Sequence, residues 1–184
     1  PGGVTHQSID DIAIMRVIPN MTVLEVGDAT EVESVLDIAH AIDGPVYLRM
    51  LRGEVPRLFD TPMEFNKARV LTCAGEDINE PADIVIVSSG ICTEEAMRAV
   101  PAIVDRGLKV THLHVSTLKP FSDPTVTAAL AGARKGVITM ENHLVTGGLG
   151  SAVAELMAEN AIPVPLSRIG LNDTYAHGAS LPYL

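Results

Sequence analysis

The sequence predicts an α/β protein: an incomplete α/β unit followed by a three-layer α/β/α domain with a mostly parallel sheet. Three observations carry this. Short, nearly continuous apolar runs such as DIVIVSSG (83–90) and KGVITME (135–141) alternate with segments at helical spacing. The apolar residues are Val, Ile, Leu and Ala, with 3% aromatic residues and no Trp, a mix suited to strands buried on both faces under Ala-rich helices. Turn signals at Pro19-Asn20, Gly44-Pro45 and Gly107 separate the runs.

In order, Ser8 to Asp11 has the S-x-x-D form of a capping box before Ile9, Ile12, Ala13 and Val17 at helical spacing. MTVLEV (21–26) reads as a strand. GDATEVESVLDIAHAI (27–42) reads as a helix capped by Asp28, with Glu31 three residues on. VYLRML (46–51) is the next strand. Two strands cannot cover two helices, so this unit is expected to lack part of its sheet. Residues 52–83 hold Pro56, Pro62 and Pro81, many charges and little periodicity. They read as an interdomain linker with a small hairpin.

The second series starts with strand 83–90. A helix over 93–107 is capped by Thr93, and Pro101 predicts a kink or a two-piece helix. KVTHLHVSTL (109–118) reads as one strand. DPTVTAALAGA (123–133) reads as a helix with Asp123 as cap and Pro124 at its first position. Strand 135–141, helix 150–160 and strand 165–171 complete the alternation. The division expected is 1–55, an incomplete domain; 56–81, a linker; and 82–184, the C-terminal domain. The opening PGGVTHQSIDD starts at Pro1 without an initiator Met, and Ser180 in the tail caps an element with four residues left. The reading therefore expects a piece of a longer polypeptide.

Composition narrows the function. The formal net charge is −10 with no Lys/Arg run, which argues against nucleic acid or an anionic membrane as partner. No apolar run reaches the ~18 residues of a membrane span. Cys73 and Cys92 fit neither a metal spacing nor a disulfide framework and are expected to be reduced, partly buried thiols of a cytoplasmic protein.

Four features are candidates for chemistry. His6, in GGVTHQ, sits on a glycine-flanked turn at a helix entrance, where an imidazole can hydrogen-bond a ligand or move a proton near neutral pH; otherwise it is a loop histidine without a task. Arg49 and Arg52 lie near the C-terminal end of a strand, where open α/β sheets bind ligands, and Arg suits a phosphate or carboxylate; the alternative is surface arginines. ENHLVTGGLGSAV (141–153) joins a strand to a helix through glycines. It matches neither G-x-G-x-x-G nor a P-loop, and reads better as a tight turn than as an anion site. His112 and His114 share one strand face but lack a third ligand, so no metal site is assigned. His40, His143 and His177 form no pattern.

Taken together, the segments resemble a family. GGVTHQSIDDIAIMRVIPNMTVLEVGDATEV is similar to the G-P-T-H-Q stretch of transketolases, and PVYLRMLRGEVP, ADIVIVSSG, VSTLKPFS, MENHLVTGGLGSAVAEL and IGLNDTYAHGASLPYL follow in family order. The resemblance covers essentially the whole chain and is strongest to the C-terminal section of split transketolases. It implies the end of a pyrimidine-binding domain plus a C-terminal domain. In the complete enzyme it implies thiamine diphosphate with Mg²⁺ or Ca²⁺, and transfer of a two-carbon ketol unit between sugar phosphates.

The resemblance places His6 on the histidine that contacts the donor hydroxyl and Arg52, with Pro56 four residues on, on the arginine that grips the substrate phosphate; Arg49 is the fallback. Gly2 stands where the family commonly has Asp, and Val4 where it has Pro, so the sugar preference is left open. The glutamate that activates the cofactor is expected upstream of Pro1, and the diphosphate and metal ligands in another domain. The fragment alone is therefore expected to be inactive and to bind no cofactor. The implied partners are a homodimer mate or an N-terminal transketolase subunit. Competing readings are a 1-deoxy-xylulose-5-phosphate synthase-like enzyme, a 2-oxo acid dehydrogenase beta subunit, or a non-catalytic α/β oligomerisation module.

Overall fold

The computed structural model describes residues 4–175. Pro1 and Gly2 lie outside the described residues, as do His177 and Ser180, for which a cap is expected. A single 3-10 turn at Val4–His6 leads into α1 (Asp11–Val17). β1 (Thr22–Glu25), α2 (Ala29–Ala41) and β2 (Val46–Arg49) follow. After a long irregular segment come β3 (Arg69–Thr72), β4 (Ala82–Ser88), α3 (Cys92–Val104), β5 (Val110–His114) and β6 (Thr117–Lys119). α4 (Pro124–Ala131), β7 (Ala133–Leu144), α5 (Leu149–Glu159) and β8 (Leu166–Leu171) complete the order.

The strands form two sheets, one of order β2-β1-β6 and one of order β3-β5-β4-β7-β8. In the larger sheet β5, β4, β7 and β8 run parallel, as the apolar runs predict, and β3 is an antiparallel edge. Side-chain alternation gives its two covered faces. Val85, Val87 and Val137 pack with Leu149 and Val153 of α5 and Leu130 of α4. Ile86 and its neighbours Ile84, Ile138 and Met140 pack with Ala96 and Val100 of α3. This is the expected three-layer arrangement.

Several elements differ from their sequence reading. The segment 109–118 is two strands serving two sheets, because the chain leaves β5 after His114 and β6 pairs antiparallel with β1. β6 thus supplies the small sheet with a third strand from far along the chain. The stretch 56–81 contains no hairpin: β3 pairs with β5 instead. Ser8 caps nothing, since α1 begins at Asp11 with Asp10 before it and no side-chain cap bond. Thr93 lies inside α3 and its hydroxyl is used elsewhere. α3 is one helix across Pro101 and not two pieces. By contrast Asp28 and Asp123 cap α2 and α4, accepting from Glu31 N (2.8 Å) and Thr125 N (2.9 Å).

The glycine turn between β7 and α5 is a packing device, as its sequence suggests. Gly147 has φ +82°, and a Cβ there would lie 2.4 Å from Ala13 Cβ. A Cβ on Gly148 would lie 2.0 Å from Glu141 Oε2. Gly148→Ala is expected to cost about 2 kcal/mol or more, because the buried side chains of Glu141 and His143 must both give way. The loss in urea midpoint at constant m-value measures it.

Candidate functional site

His6 ends the N-terminal 3-10 turn and is exposed. Its Nδ1 lies 3.0 Å from Thr5 Oγ1, which orients the ring and leaves Nε2 for a ligand. Arg52 lies just beyond β2 and is exposed. Among the described residues it makes no ion pair, so its five N–H donors face solvent. β2 ends at Arg49, so the two arginines belong to a strand end and a bend rather than to one extended run.

Arg49 stands differently. Its side chain is largely buried and all three nitrogens are engaged. Nε donates to Asp11 Oδ2 at 2.9 Å, Nη1 pairs with Glu25, and Nη2 donates to the carbonyls of Ser8 (2.7 Å) and Asn142 (2.8 Å). Tyr47 Oη also donates to Asp11 Oδ2, at 2.6 Å. Burial, then the bond to Asp11 and its charge, push the Tyr47 phenol up to about 12. Burial works against the Arg49 cation, but the two carboxylates outweigh it and hold the guanidinium charged.

The ENHL segment meets the start of the chain. His143 Nδ1 lies 2.7 Å from the Leu144 carbonyl and Nε2 accepts the Ala13 amide at 3.4 Å. A carbonyl only accepts and an amide only donates, so the ring is the neutral Nδ1–H tautomer. Leu144 N donates to Ile9 O at 2.8 Å. Arg16 Nη1 donates to the carbonyls of Gly147 (2.7 Å) and Gly148 (3.2 Å). Glu141 caps α5, accepting from Leu149 N (2.7 Å) and Gly150 N (2.8 Å); burial nonetheless raises its carboxyl above the ordinary range.

His112 and His114 hold a hydrogen-bond chain, and no cluster of three or more potential metal-ligating side chains occurs among the described residues. Both are fully buried. His114 Nε2 faces Glu31 Oε2 (3.0 Å) and Ser116 Oγ (2.9 Å), and its Nδ1 faces Thr93 Oγ1 (2.6 Å). The chain continues from Thr93 to Ser88 Oγ (2.9 Å) and on to His112 Nε2 (2.8 Å). Glu31 also accepts from Gly27 N (3.0 Å), Ser116 Oγ (2.8 Å) and Arg69 Nε (3.0 Å). Arg69 lies over the Phe59 ring, 4.6 Å from its centroid, and that ring lies 5.0 Å from the His114 ring.

Glu31 escapes the sequence reading, which takes its offset from Asp28 as a helix-start signal only. Its spacing with Val35 and Ile38 puts a carboxylate on the apolar stripe of α2, and that is the available signal.

This network fixes a pH dependence. Burial, then the charge of His114, lowers the His112 imidazole to about 4. The folded protein refuses a proton that the unfolded chain accepts below about 6.5, so stability falls as pH drops from 6.5 to 4. Burial alone would raise Glu31, but the bond and charge of His114, the Gly27 amide and the Ser116 hydroxyl hold it at about 2. Its contribution is present above 4.5 and lost as pH falls toward 2. Each amounts to about 3 kcal/mol at most. Urea midpoints at successive pH values should decline below 6.5, and His112→Asn should flatten the upper part of that decline.

Comparison with known proteins finds relatives of both parts of the chain. The family model for the transketolase C-terminal domain matches residues 74–183, and that for the transketolase pyrimidine-binding domain matches residues 1–57. The 6-deoxy-6-sulfo-D-fructose transketolase subunit of Clostridium sp. strain MSTE9 is 38% identical over 184 residues, covering 99% of this chain and 54% of the subunit. A 1-deoxy-D-xylulose-5-phosphate synthase of Prochlorococcus marinus is 34% identical over 178 residues, covering 97% of this chain and 27% of the synthase. A solved split-gene transketolase, described as an inactive β4 tetramer, superposes with a TM-score of 0.85 at 36% identity, covering 98% of this chain and 57% of that one. The chain thus spans about half the length of its transketolase-subunit relative. With both family models matched in order and the same fold beneath them, this chain belongs to the transketolase family.

Proposed function

We propose that this chain is the C-terminal part of a thiamine-diphosphate-dependent transketolase that moves a two-carbon ketol unit between sugar phosphates. The observation that carries the proposal is the pair His6 and Arg52: an oriented imidazole and a guanidinium with no ion pair among the described residues, both exposed, on segments of the family's pyrimidine-binding domain. In this reading the imidazole steadies a substrate hydroxyl and exchanges a proton with it at Nε2. Arg52 forks the substrate phosphate. Arg49 has its nitrogens committed within the protein, so the grip falls to Arg52.

Thiamine diphosphate, when bound, supplies the carbanion chemistry of ketol transfer. No group of three or more His, Cys, Asp or Glu side chains that could hold Mg²⁺ or Ca²⁺ occurs among the described residues, and we assign the metal and diphosphate ligands, with the activating glutamate, to complementary polypeptide. The chain alone is then inactive, and its partners are a second copy or an N-terminal transketolase subunit in the cytoplasm. The solved neighbour described as an inactive β4 tetramer supports this view. The domain division 1–55, 56–81 and 82–184 belongs to the same proposal.

The likeness to the Prochlorococcus synthase favours a second reading, in which pyruvate is the donor. An assay of the complete protein with thiamine diphosphate and Mg²⁺ separates the two. Transfer from xylulose 5-phosphate to ribose 5-phosphate is expected. Consumption of pyruvate with no ketol transfer would refute the first reading.

A further inference from the structure

We propose that Arg49 is the positioning residue for His6, a role that rests on the function proposed above. Its guanidinium sits at the end of β2 and donates to the carbonyl of Ser8, two residues after His6, at 2.7 Å. The same nitrogen donates to the carbonyl of Asn142 at 2.8 Å, near the end of β7. The remaining nitrogens hold Asp11, the first residue of α1, and Glu25, the last of β1. One planar fork therefore ties the His6 segment to both sheets. The amide of Leu144, donating to Ile9 O at 2.8 Å, makes a second tie one residue further on.

The pattern R-x-x-R at 49–52 thus divides two tasks. Arg49 faces inward and sets where the His6 turn lies; Arg52 faces solvent for a phosphate. The turn has little packing of its own, since none of its residues is buried. Its position depends on the next few residues of the chain, where Ser8 O is held by Arg49 of β2 and Ile9 O by the Leu144 amide of β7. ENHL of the C-terminal part, which carries no catalytic side chain in the proposed reaction, acts through this tie. Arg49→Lys keeps the charge beside Asp11 and Glu25. A single ammonium cannot span four acceptors, so it leaves the Ser8 carbonyl unheld.

The test compares Arg49→Lys with Arg69→Lys, which weakens another buried ion pair, that with Glu31. Backbone amide order parameters over residues 6–10 of the assembled protein are expected to fall from about 0.85 to below about 0.6 in Arg49→Lys and to stay unchanged in Arg69→Lys. In the ketol-transfer assay kcat should fall about 10- to 100-fold, with KM for the phosphorylated substrate within about 2-fold of wild type. Should Arg49→Lys fail to fold, Arg49→Gln with Glu25→Gln removes a charge together with its partner and should loosen the same segment. Order parameters that stay at the wild-type value, or fall equally in Arg69→Lys, overturn the proposal. No ketol transfer by the wild-type assembly refutes the functional reading instead, and the order parameters keep the two failures apart.

Discussion

Glu31→Gln is expected to destabilise the protein by about 3–5 kcal/mol. The carboxylate is fully buried, and all of its partners are donors: the Gly27 amide, His114 Nε2, Ser116 Oγ and Arg69 Nε. Glutamine matches the shape but turns one acceptor oxygen into an NH₂ that must point at donors on either side. The swap also strips the counter-charge from a largely buried guanidinium. Glu31→Ala should lose as much, by leaving four donors unmet. Urea unfolding at pH 7 reads the effect, and a loss under about 1 kcal/mol would show that solvent or a shifted side chain replaces the carboxylate. The residue joins the segment matched to the pyrimidine-binding domain to β3 and β5, so both variants should also unfold less cooperatively.

His6→Ala should lower kcat for ketol transfer by about 10²- to 10⁴-fold with little change in KM. Arg52→Ala should do the opposite, raising KM for phosphorylated substrates by about 10- to 100-fold through the lost charge-assisted bonds. Neither side chain is buried, so both variants should keep the wild-type stability within about 0.5 kcal/mol. A fall in activity can then be assigned to the site.

The features legible in the sequence are those whose cause is local. Asp28 and Asp123 cap their helices because a short side chain reaches an amide two or three residues on. The parallel sheet is written in apolar runs such as 83–90, because both faces of each central strand are covered. Thr5 and His6 are chain neighbours, so the orientation of that ring is local too.

Contacts across large sequence separations stay hidden. His114 and Glu31 are 83 residues apart, and spacing alone offers His112 and His114 only as a metal pair. Arg49 meets Asn142 across 93 residues, so its commitment inside the protein is invisible in VYLRML. The division of 109–118 into β5 and β6 has the same origin: Val115 N bonds Ser88 O, and Ser116 O accepts from Glu25 N, on different sheets. A threonine beside a helix start suggests a cap, yet the Thr93 hydroxyl bonds to His114 on the next strand of the chain.

The most direct test is a structure of the complete, cofactor-loaded assembly with a ketose phosphate bound. Phosphate oxygens are expected about 2.7–2.9 Å from the Arg52 guanidinium, a donor hydroxyl within hydrogen-bond reach of His6 Nε2, and Arg49 still bound to Ser8 O. A phosphate seated away from Arg52, with His6 turned to solvent, would contradict it.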